Sequence, residues 1–319
     1  MRENKENKSV NNVVNRGKTA VKKARTDLAL EAREVWEENT HEQTKLRGVW
    51  ARDADVNGFR VSRVKILNEE GERALGKPVG SYTTIELEGI SRHDTEIFSK
   101  AITTVARELS ELVPDTDGCV LIVGLGNEGI TPDAVGANAI SHIMVTRHLV
   151  EKIPDIFGSM RPVSAIAPGV LGMTGVESGE IIRGVTERIR PDYIVVIDAL
   201  ASMRLNRLCK TVQITDTGII PGSGVGNSRA AITEKTMGIP VIALGVPTVV
   251  DIATIIESFA EDSGVAIPKK ALSEYSERLL VTPKDIDVNI ADIGRILGYA
   301  VNTVLQKNVS IKDMDEFLS

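Results

Sequence analysis

From Cys119 onward the chain repeats one pattern, in which a short apolar run is followed by a loop and then by a helical segment. Such alternation is typical of a doubly wound, mostly parallel sheet with helices on both faces. Two earlier segments alternate apolar and polar residues, which predicts half-buried strands that make the sheet mixed. We expect these two strands at 61–66 and 82–88, later strands at 119–124, 163–167, 193–198, 211–215, 240–244 and 278–282, and helices at 135–151, 177–189, 228–237, 250–260 and 285–306.

Two of the apolar runs lead to an aspartate set among small residues. The run from Cys119 leads through a glycine-rich loop to Asp133, and the run from Tyr193 ends at Asp198. Open α/β folds place their sites beyond the carboxyl ends of the strands, so the two carboxylates face each other if the strands are neighbours. Two close carboxylates share a proton, so that one can act as a base on water and the other as an acid. Each aspartate also has an ordinary interpretation, Asp133 as a helix N-cap and Asp198 as a turn residue.

The charge of the chain is divided unevenly along its 319 residues. The net charge is −6, which argues against nucleic-acid binding as the main role. Residues 1–27 hold eight Lys/Arg and three Asp/Glu, a net of +5, so that the remainder carries −11. A helix is expected over Asp27–Glu38, with Thr26 as its cap. We therefore predict a basic N-terminal propeptide, 1–27, followed by a single α/β domain, 28–319.

Neither a membrane segment nor a cofactor site is predicted. No apolar run reaches the roughly 18 residues of a spanning helix, and the basic N-terminus lacks an apolar core. The two cysteines, Cys119 and Cys209, suggest no disulfide framework, which favours a reducing, cytoplasmic compartment. His142 and His148 lie six residues apart, rather than the four that place two ligands on one metal. We predict no cofactor and no metal at the site.

Two glycine-rich loops suggest alternative sites. Gly124, Gly126 and Gly129 match the spacing of a dinucleotide-binding loop, but Pro132 interrupts the run toward the helix, and the next predicted strand ends without an acid for the ribose. The loop 221–228 is either an anion or peptide-binding loop or a flexible connector. Two alternatives stay open: a dinucleotide-dependent enzyme that uses Gly124, Gly126 and Gly129, and a non-catalytic binder of DNA or of DNA-coating proteins that uses the basic tail.

The chain resembles the spore germination protease of endospore-forming bacteria. The resemblance runs from Thr26 to the C-terminus and depends on four segments. These segments are Asn127–Gly136, Val196–Ser202, Pro221–Arg229 and Thr282–Asp287. A more distant similarity links the strand-Gly-x-Gly-Asn and strand-Asp patterns to the hydrogenase maturation endopeptidases, which leaves a metal-dependent endopeptidase of that type as another alternative.

The resemblance implies a phosphorylase/hydrolase-like α/β fold and an atypical aspartic-type endopeptidase, made as a zymogen and assembled as a homotetramer. It implies that Asp133 and Asp198 are the catalytic carboxylates. It also implies small acid-soluble spore proteins as substrates in the spore core, without direct binding to nucleic acid or membrane. That family cuts after Thr-Glu and before a large apolar residue, with Ala-Ser-Glu next. Thr26–Glu31 follows this pattern, with Asp27 in place of Glu and Leu30 in place of Ser, so the resemblance implies self-processing between Asp27 and Leu28.

Overall fold

The computed structural model describes residues 26–40, 46–90, 94–225, 229–265 and 279–318. The strands are β1 (Val49–Val56), β2 (Phe59–Ile66), β3 (Gly80–Glu86), β4 (Val120–Gly124), β5 (Val163–Ile166), β6 (Tyr193–Ser202), β7 (Thr211–Thr215), β8 (Val241–Asp251) and β9 (Leu280–Val281). The helices are α1 (Ala29–Thr40), α2 (Glu69–Leu75), α3 (Thr95–Ser110), α4 (Val135–Ile140), α5 (Arg147–Lys152), α6 (Pro154–Phe157), α7 (Leu171–Thr174), α8 (Ser178–Ile189), α9 (Glu234–Met237), α10 (Ile252–Asp262), α11 (Ile286–Leu305) and α12 (Ile311–Leu318). None of the helices in these ranges is long and apolar enough to cross a membrane.

The strands within these ranges form one mixed sheet in the order β1-β2-β3-β7-β8-β6-β4-β5, with β9 paired to the end of β8. β8, β6, β4 and β5 are parallel to one another. β1, β2, β3 and β7 add an antiparallel portion. This arrangement confirms the expected α/β class with a mixed sheet. β7 runs antiparallel to β8 because residues 203–210 leave no room for the helical crossover that a parallel return from β6 needs.

The chain changes direction across the sheet at β4. It passes from β4 to β5 on one side and then crosses back to β6 on the other. A crevice therefore opens between the carboxyl ends of β4 and β6, the place where open α/β folds bind ligands. The register pairs Gly124 with Ile197, so Asp198 lies one residue beyond the last β4–β6 pair. The two aspartate-bearing strands are neighbours, as the sequence predicted.

The parallel strands are buried on both faces, which explains their continuous apolar sequences. On one face Ile122 and Ile197 pack in the core that α3 and α11 cover. On the other face Val123 and Val196 pack against Ile182 of α8. Because side chains alternate along a strand, Asp198 lies on the same face as Val196.

Several elements differ from the expected boundaries. The helix expected at 135–151 is divided into α4 and α5, and the helix expected at 228–237 is reduced to α9. The hairpin of β1 and β2 was missed, although Asn57 and Gly58 supply the two positive φ angles (55° and 88°) that a tight two-residue turn requires. β6 and β8 also run further than expected, because they continue to pair with each other as far as Ser202 and Val250.

Candidate active site

A pocket of about 400 Å³ opens at the carboxyl ends of β4 and β6. Asp133 and Asp198 both line this pocket, so the fold brings together the two carboxylates that the sequence singled out. Asp27 also lines it. The walls are otherwise mostly apolar, which strengthens electrostatic interactions among the few charged groups inside.

Asp133 reaches the pocket from a tight turn that follows β4. Asp133 is the last residue of a short 3₁₀ turn, Thr131–Asp133. Its Oδ2 atom accepts a hydrogen bond of 2.8 Å from the backbone N–H of Asn127. Gly126 has a φ of 104°, and a Cβ atom there would lie 1.8 Å from the carbonyl oxygen of Asp133. The N-cap of α4 is Ala134, and no side chain caps the helix. The interpretation of Asp133 as a helix N-cap is therefore wrong.

Asp198 lies inside β6 rather than at its end. Only 5% of this residue is exposed, and its Oδ1 atom accepts a hydrogen bond of 2.9 Å from the N–H of Ala199. The strand continues four residues further, to Ser202, so the interpretation of Asp198 as a turn residue is wrong.

The two carboxyl groups have different electrostatic environments. Burial and then the negative charge of Asp133 raise the pKa of Asp198 well above its ordinary value, and Asp27 adds to this shift. Burial also raises the pKa of Asp133, but the Asn127 N–H and the positive charge of Arg229 act against the shift. Asp198 is therefore the carboxyl group that holds a proton more firmly, and Asp133 is the one that ionises more readily.

The segment that contains Asp27 and Leu28 is bound along the extended end of β6. The N–H of Asp27 donates to the Ala201 carbonyl at 3.1 Å, and the N–H of Ala201 donates to Asp27 Oδ2 at 2.9 Å. Leu28 has no exposed surface. Both residues of the predicted cleavage site are thus described, and Asp27 lies in the pocket with the aspartate pair. Residues 1–25 of the predicted propeptide lie outside the described residues.

Gln213 on β7 holds the backbone on both sides of Leu28. Its Nε2 donates to the carbonyl oxygen of Asp27 at 3.0 Å, and its Oε1 accepts from the N–H of Ala29 at 2.7 Å. Gly245 of β8 pairs with both Asp198 and Gln213, so these two side chains share one row across the sheet. The side-chain amide therefore contacts the carbonyl of the bond that the resemblance implies is cut.

Comparisons with known proteins show the family of the chain. A sequence model of a family described as germination protease matches residues 29–263. A germination protease of Caldanaerobacter subterraneus is 44% identical, over 92% of this chain and 98% of that protein. Those of Clostridium perfringens and Bacillus pumilus are 43% and 35% identical, each over 92% of this chain and over 99% and 96% of their own lengths.

The chain belongs to the germination protease family. It is therefore a peptidase that acts on protein substrates in germination. Among solved structures, a NiFe hydrogenase maturation protease from Thermococcus kodakarensis aligns with a TM-score of 0.36 and 17% identity, over 63% of this chain and 99% of that one.

In this member of the germination protease family, the glycines at the end of β4 and in the loop after it allow close packing. A Cβ atom on Gly124 would lie 2.2 Å from the carbonyl oxygen of Gly136 in α4. Gly126 allows the turn that carries Asp133. The N–H of Gly129 donates a hydrogen bond of 2.9 Å to Oδ1 of Asn127. These contacts account for the spacing that resembled a dinucleotide loop. In the second glycine loop, Ser223 binds Asp27, whereas 226–228 lie outside the described residues.

Sequence reasoning missed three polar residues at the site. Gln213 stands in an otherwise buried strand, and this polar residue between apolar neighbours was the available signal. Arg229 lines the pocket and ends the loop that carried the resemblance. Thr248 also lines the pocket, and its buried hydroxyl has no hydrogen-bond partner among the described residues.

The histidines considered as metal ligands lie elsewhere. His142 contacts the edge of the Tyr299 ring, and it lines a separate pocket of about 500 Å³ between α3, α11 and α12. His148 lies on α5. Within the described ranges, no group of three His, Cys, Asp or Glu side chains has the arrangement of a metal site.

Proposed function

We propose that this chain is an atypical aspartic-type endopeptidase, made as a zymogen that removes its own propeptide by hydrolysing the bond between Asp27 and Leu28. One observation carries the proposal: Asp27 lies in the same pocket as Asp133 and Asp198, and its carbonyl oxygen accepts a hydrogen bond from Gln213. Both contacts support the proposal that this segment is the first substrate of the site.

In the proposed reaction Asp133 is the base. It ionises more readily than Asp198, because Asn127 and Arg229 stabilise its negative form. It removes a proton from water, and the hydroxide attacks the carbonyl carbon of Asp27. The N–H donor of Gln213 stabilises the negative charge that develops on the carbonyl oxygen. Donors held in place before the reaction need no reorganisation when that charge forms.

Asp198 is the proposed acid. Burial and the neighbouring carboxylates keep its proton bound above the pH at which an exposed aspartate would lose it. It passes this proton to the nitrogen of Leu28 when the carbon–nitrogen bond breaks. The products are a new carboxyl group on Asp27 and a new amine on Leu28. Asp133 then returns the water-derived proton to Asp198.

The proposal also covers the substrates of the enzyme, its location and its oligomeric state. The mature chain would initiate the degradation of small acid-soluble spore proteins in the spore core, as a homotetramer. The match between Thr26–Glu31 and the cleavage pattern of the family supports this substrate class. Light scattering should give four times the mass of the chain in the sample, which is 34.5 kDa before processing, and the mass of a monomer would contradict the tetramer.

Digestion of a small acid-soluble spore protein tests the proposed roles. Asp133→Asn and Asp198→Asn should abolish cleavage, because each removes one of the two proton-transfer groups. Gln213→Glu, which keeps the size of the side chain but loses the N–H donor, should lower kcat by about 10²–10³. Initial rates by mass spectrometry give the comparison, with thermal melting as a control for folding. Wild-type rates in either asparagine variant would contradict the aspartate pair.

A further inference from the structure

Lys77 binds the main chain of the bound segment close to the predicted cut. Its ammonium group donates to the Thr26 carbonyl oxygen at 2.8 Å, and it forms no other hydrogen bond among the described residues. Lys77 is partly buried and lines a pocket of about 210 Å³, which Asp27 and Gln213 also line. Burial lowers the pKa of Lys77, while the charges of Asp27 and Glu31 act against this shift. A charged donor in such a place gives a strong hydrogen bond.

The protein binds two successive carbonyl groups of the segment through side chains. Lys77 binds the carbonyl of Thr26, and Gln213 binds the carbonyl of Asp27 at 3.0 Å. Between these two contacts, the N–H of Asp27 donates to the Ala201 carbonyl at 3.1 Å. All three contacts are made to main-chain atoms, so a substrate with other side chains could form them as well. Together they set the direction of the chain just before the predicted cut.

The turn that carries Lys77 is held by contacts outside the bound segment. Gly76 caps the end of α2 with a φ of 66°, and Lys77 follows it directly. The Tyr82 hydroxyl donates to the carbonyl of Pro78 at 2.8 Å, which ties the turn to β3. Neither contact needs residues 1–27, so removal of the predicted propeptide leaves the turn intact.

Glu31 does not need Lys77 as a partner. Its carboxylate accepts hydrogen bonds from the Ser202 hydroxyl at 2.6 Å and from Nη1 of Arg207 at 3.3 Å. Glu31 lies in α1, on the other side of the predicted cut from Thr26, and stays in the processed chain. Loss of Thr26 therefore leaves the ammonium group of Lys77 without its acceptor. A charged donor left unpaired in a partly buried place favours the binding of a new acceptor.

We propose that Lys77 is the main-chain clamp of the mature enzyme, by which we mean that its ammonium group binds the carbonyl oxygen of the second substrate residue before the cut. This inference rests on the proposed peptidase function. Lys77 contacts the substrate both before and during the reaction, so its loss raises KM. Gln213 acts on the charge that develops in the transition state, so its loss lowers kcat.

Lys77→Met tests the clamp in the enzyme, because methionine keeps an unbranched side chain but has no donor. The substrates are peptides that copy residues 20–40, added to protein that has completed self-processing. KM should rise by about tenfold or more, while kcat stays within roughly twofold of the wild-type value. The control variant is Lys65→Met, which removes a lysine from an exposed position on β2 and should change neither constant. Wild-type constants in Lys77→Met, or a fall in kcat at unchanged KM, would contradict the clamp.

A peptide in which sulfur replaces the carbonyl oxygen of Thr26 tests the same contact from the substrate side. Sulfur accepts hydrogen bonds more weakly, so kcat/KM should fall by about fivefold or more with the wild-type enzyme. With Lys77→Met it should not fall, because the donor is already absent.

A second peptide separates the carbonyl from the acidic side chain beside it. It carries Asp27→Asn, and Lys77→Met should weaken its cleavage by the same factor as that of the unmodified peptide. A loss that disappears with asparagine would mean that the ammonium group binds the side-chain charge, which would overturn the clamp.

The outcomes separate this inference from the proposed function. An equal loss on sulfur substitution in the wild-type enzyme and in Lys77→Met would overturn the clamp while leaving the peptidase intact. Self-processing without cleavage of any added peptide would also overturn it, because Lys77 would then bind only the chain's own segment. If the protein neither processes itself nor cuts the peptides, the proposed function itself fails. Loss of the sulfur effect in Lys77→Met, with Lys65→Met behaving as the wild type, would support the clamp.

Discussion

The raised pKa of Asp198 makes the stability of the folded protein depend on pH. Its raised pKa means that the folded state binds its proton more tightly than the unfolded state does. The stabilisation is fully present below the ordinary pKa of 3.8, and it is lost as the pH rises through the raised pKa of the folded protein. At neutral pH the buried carboxyl therefore weakens the fold that holds it.

Asp198→Asn tests the effect of the raised pKa on stability, because the amide keeps the shape of the side chain but does not titrate. The variant should be more stable than the wild-type protein at pH 8, by about 1.4 kcal/mol for each unit of pKa shift. The difference in stability between the two proteins should shrink toward pH 4, where the Asp198 carboxyl of the folded wild-type protein is neutral, as the amide of the variant is. Urea unfolding at pH 4, 6 and 8 measures it. A difference that is constant with pH, or a wild-type protein that is more stable at pH 8, would count against the raised pKa.

At the scale of elements, the site depends on how closely α4 approaches β4 and β6. Gly136 makes this approach possible, since a Cβ atom there would lie 2.3 Å from the Leu125 carbonyl oxygen and 2.4 Å from that of Ile197. Both neighbours are backbone atoms within the sheet region. A side chain at position 136 would therefore move the helix, and with it the turn that carries Asp133.

Gly136→Ala should lower the free energy of unfolding by about 1–3 kcal/mol, because the site has no space for a methyl group. It should also slow cleavage by displacing Asp133. The matched control is Gly184→Ala in α8, where a Cβ atom meets nothing within 4 Å. Alanine is the better helix former, so this control should be neutral or slightly stabilising. Thermal melting and a cleavage assay on both variants test this prediction. Equal stability and equal cleavage rates in the two variants would contradict the close packing at Gly136.

The sequence predicted those elements that depend on local pattern and on one rule of topology. The apolar runs of β4 and β6 are recognisable in the sequence itself. Because sites in open α/β sheets lie where the strand order reverses, beyond the carboxyl ends of the strands, Asp133 and Asp198 were expected to lie together. The length of β6 could not be predicted, because Ala199 to Ser202 extend only through pairing with β8. Gln213 was missed for the same reason: its contact with Asp27 depends on the position of β7, which runs antiparallel beside β8, and no local pattern predicts this long-range arrangement.

At the scale of the whole molecule, one chain holds both a candidate catalytic pair and a candidate substrate. The predicted propeptide carries +5 and the remainder −11, so the two parts attract each other before the cut. The division into 1–27 and 28–319 stays a prediction. The first described residues are held against β6 and β7, where Asp27 forms hydrogen bonds with Ala201 and Gln213.

The time course of the intact mass of the purified protein tests the central claim most directly. The wild-type chain should lose residues 1–27 and acquire Leu28 as its N-terminus, while Asp133→Asn and Asp198→Asn should keep their full mass. The rate should fall as the pH rises through the raised pKa of Asp198, because the proposed acid then loses its proton. Removal of the same 27 residues at the same rate from either variant would contradict the account.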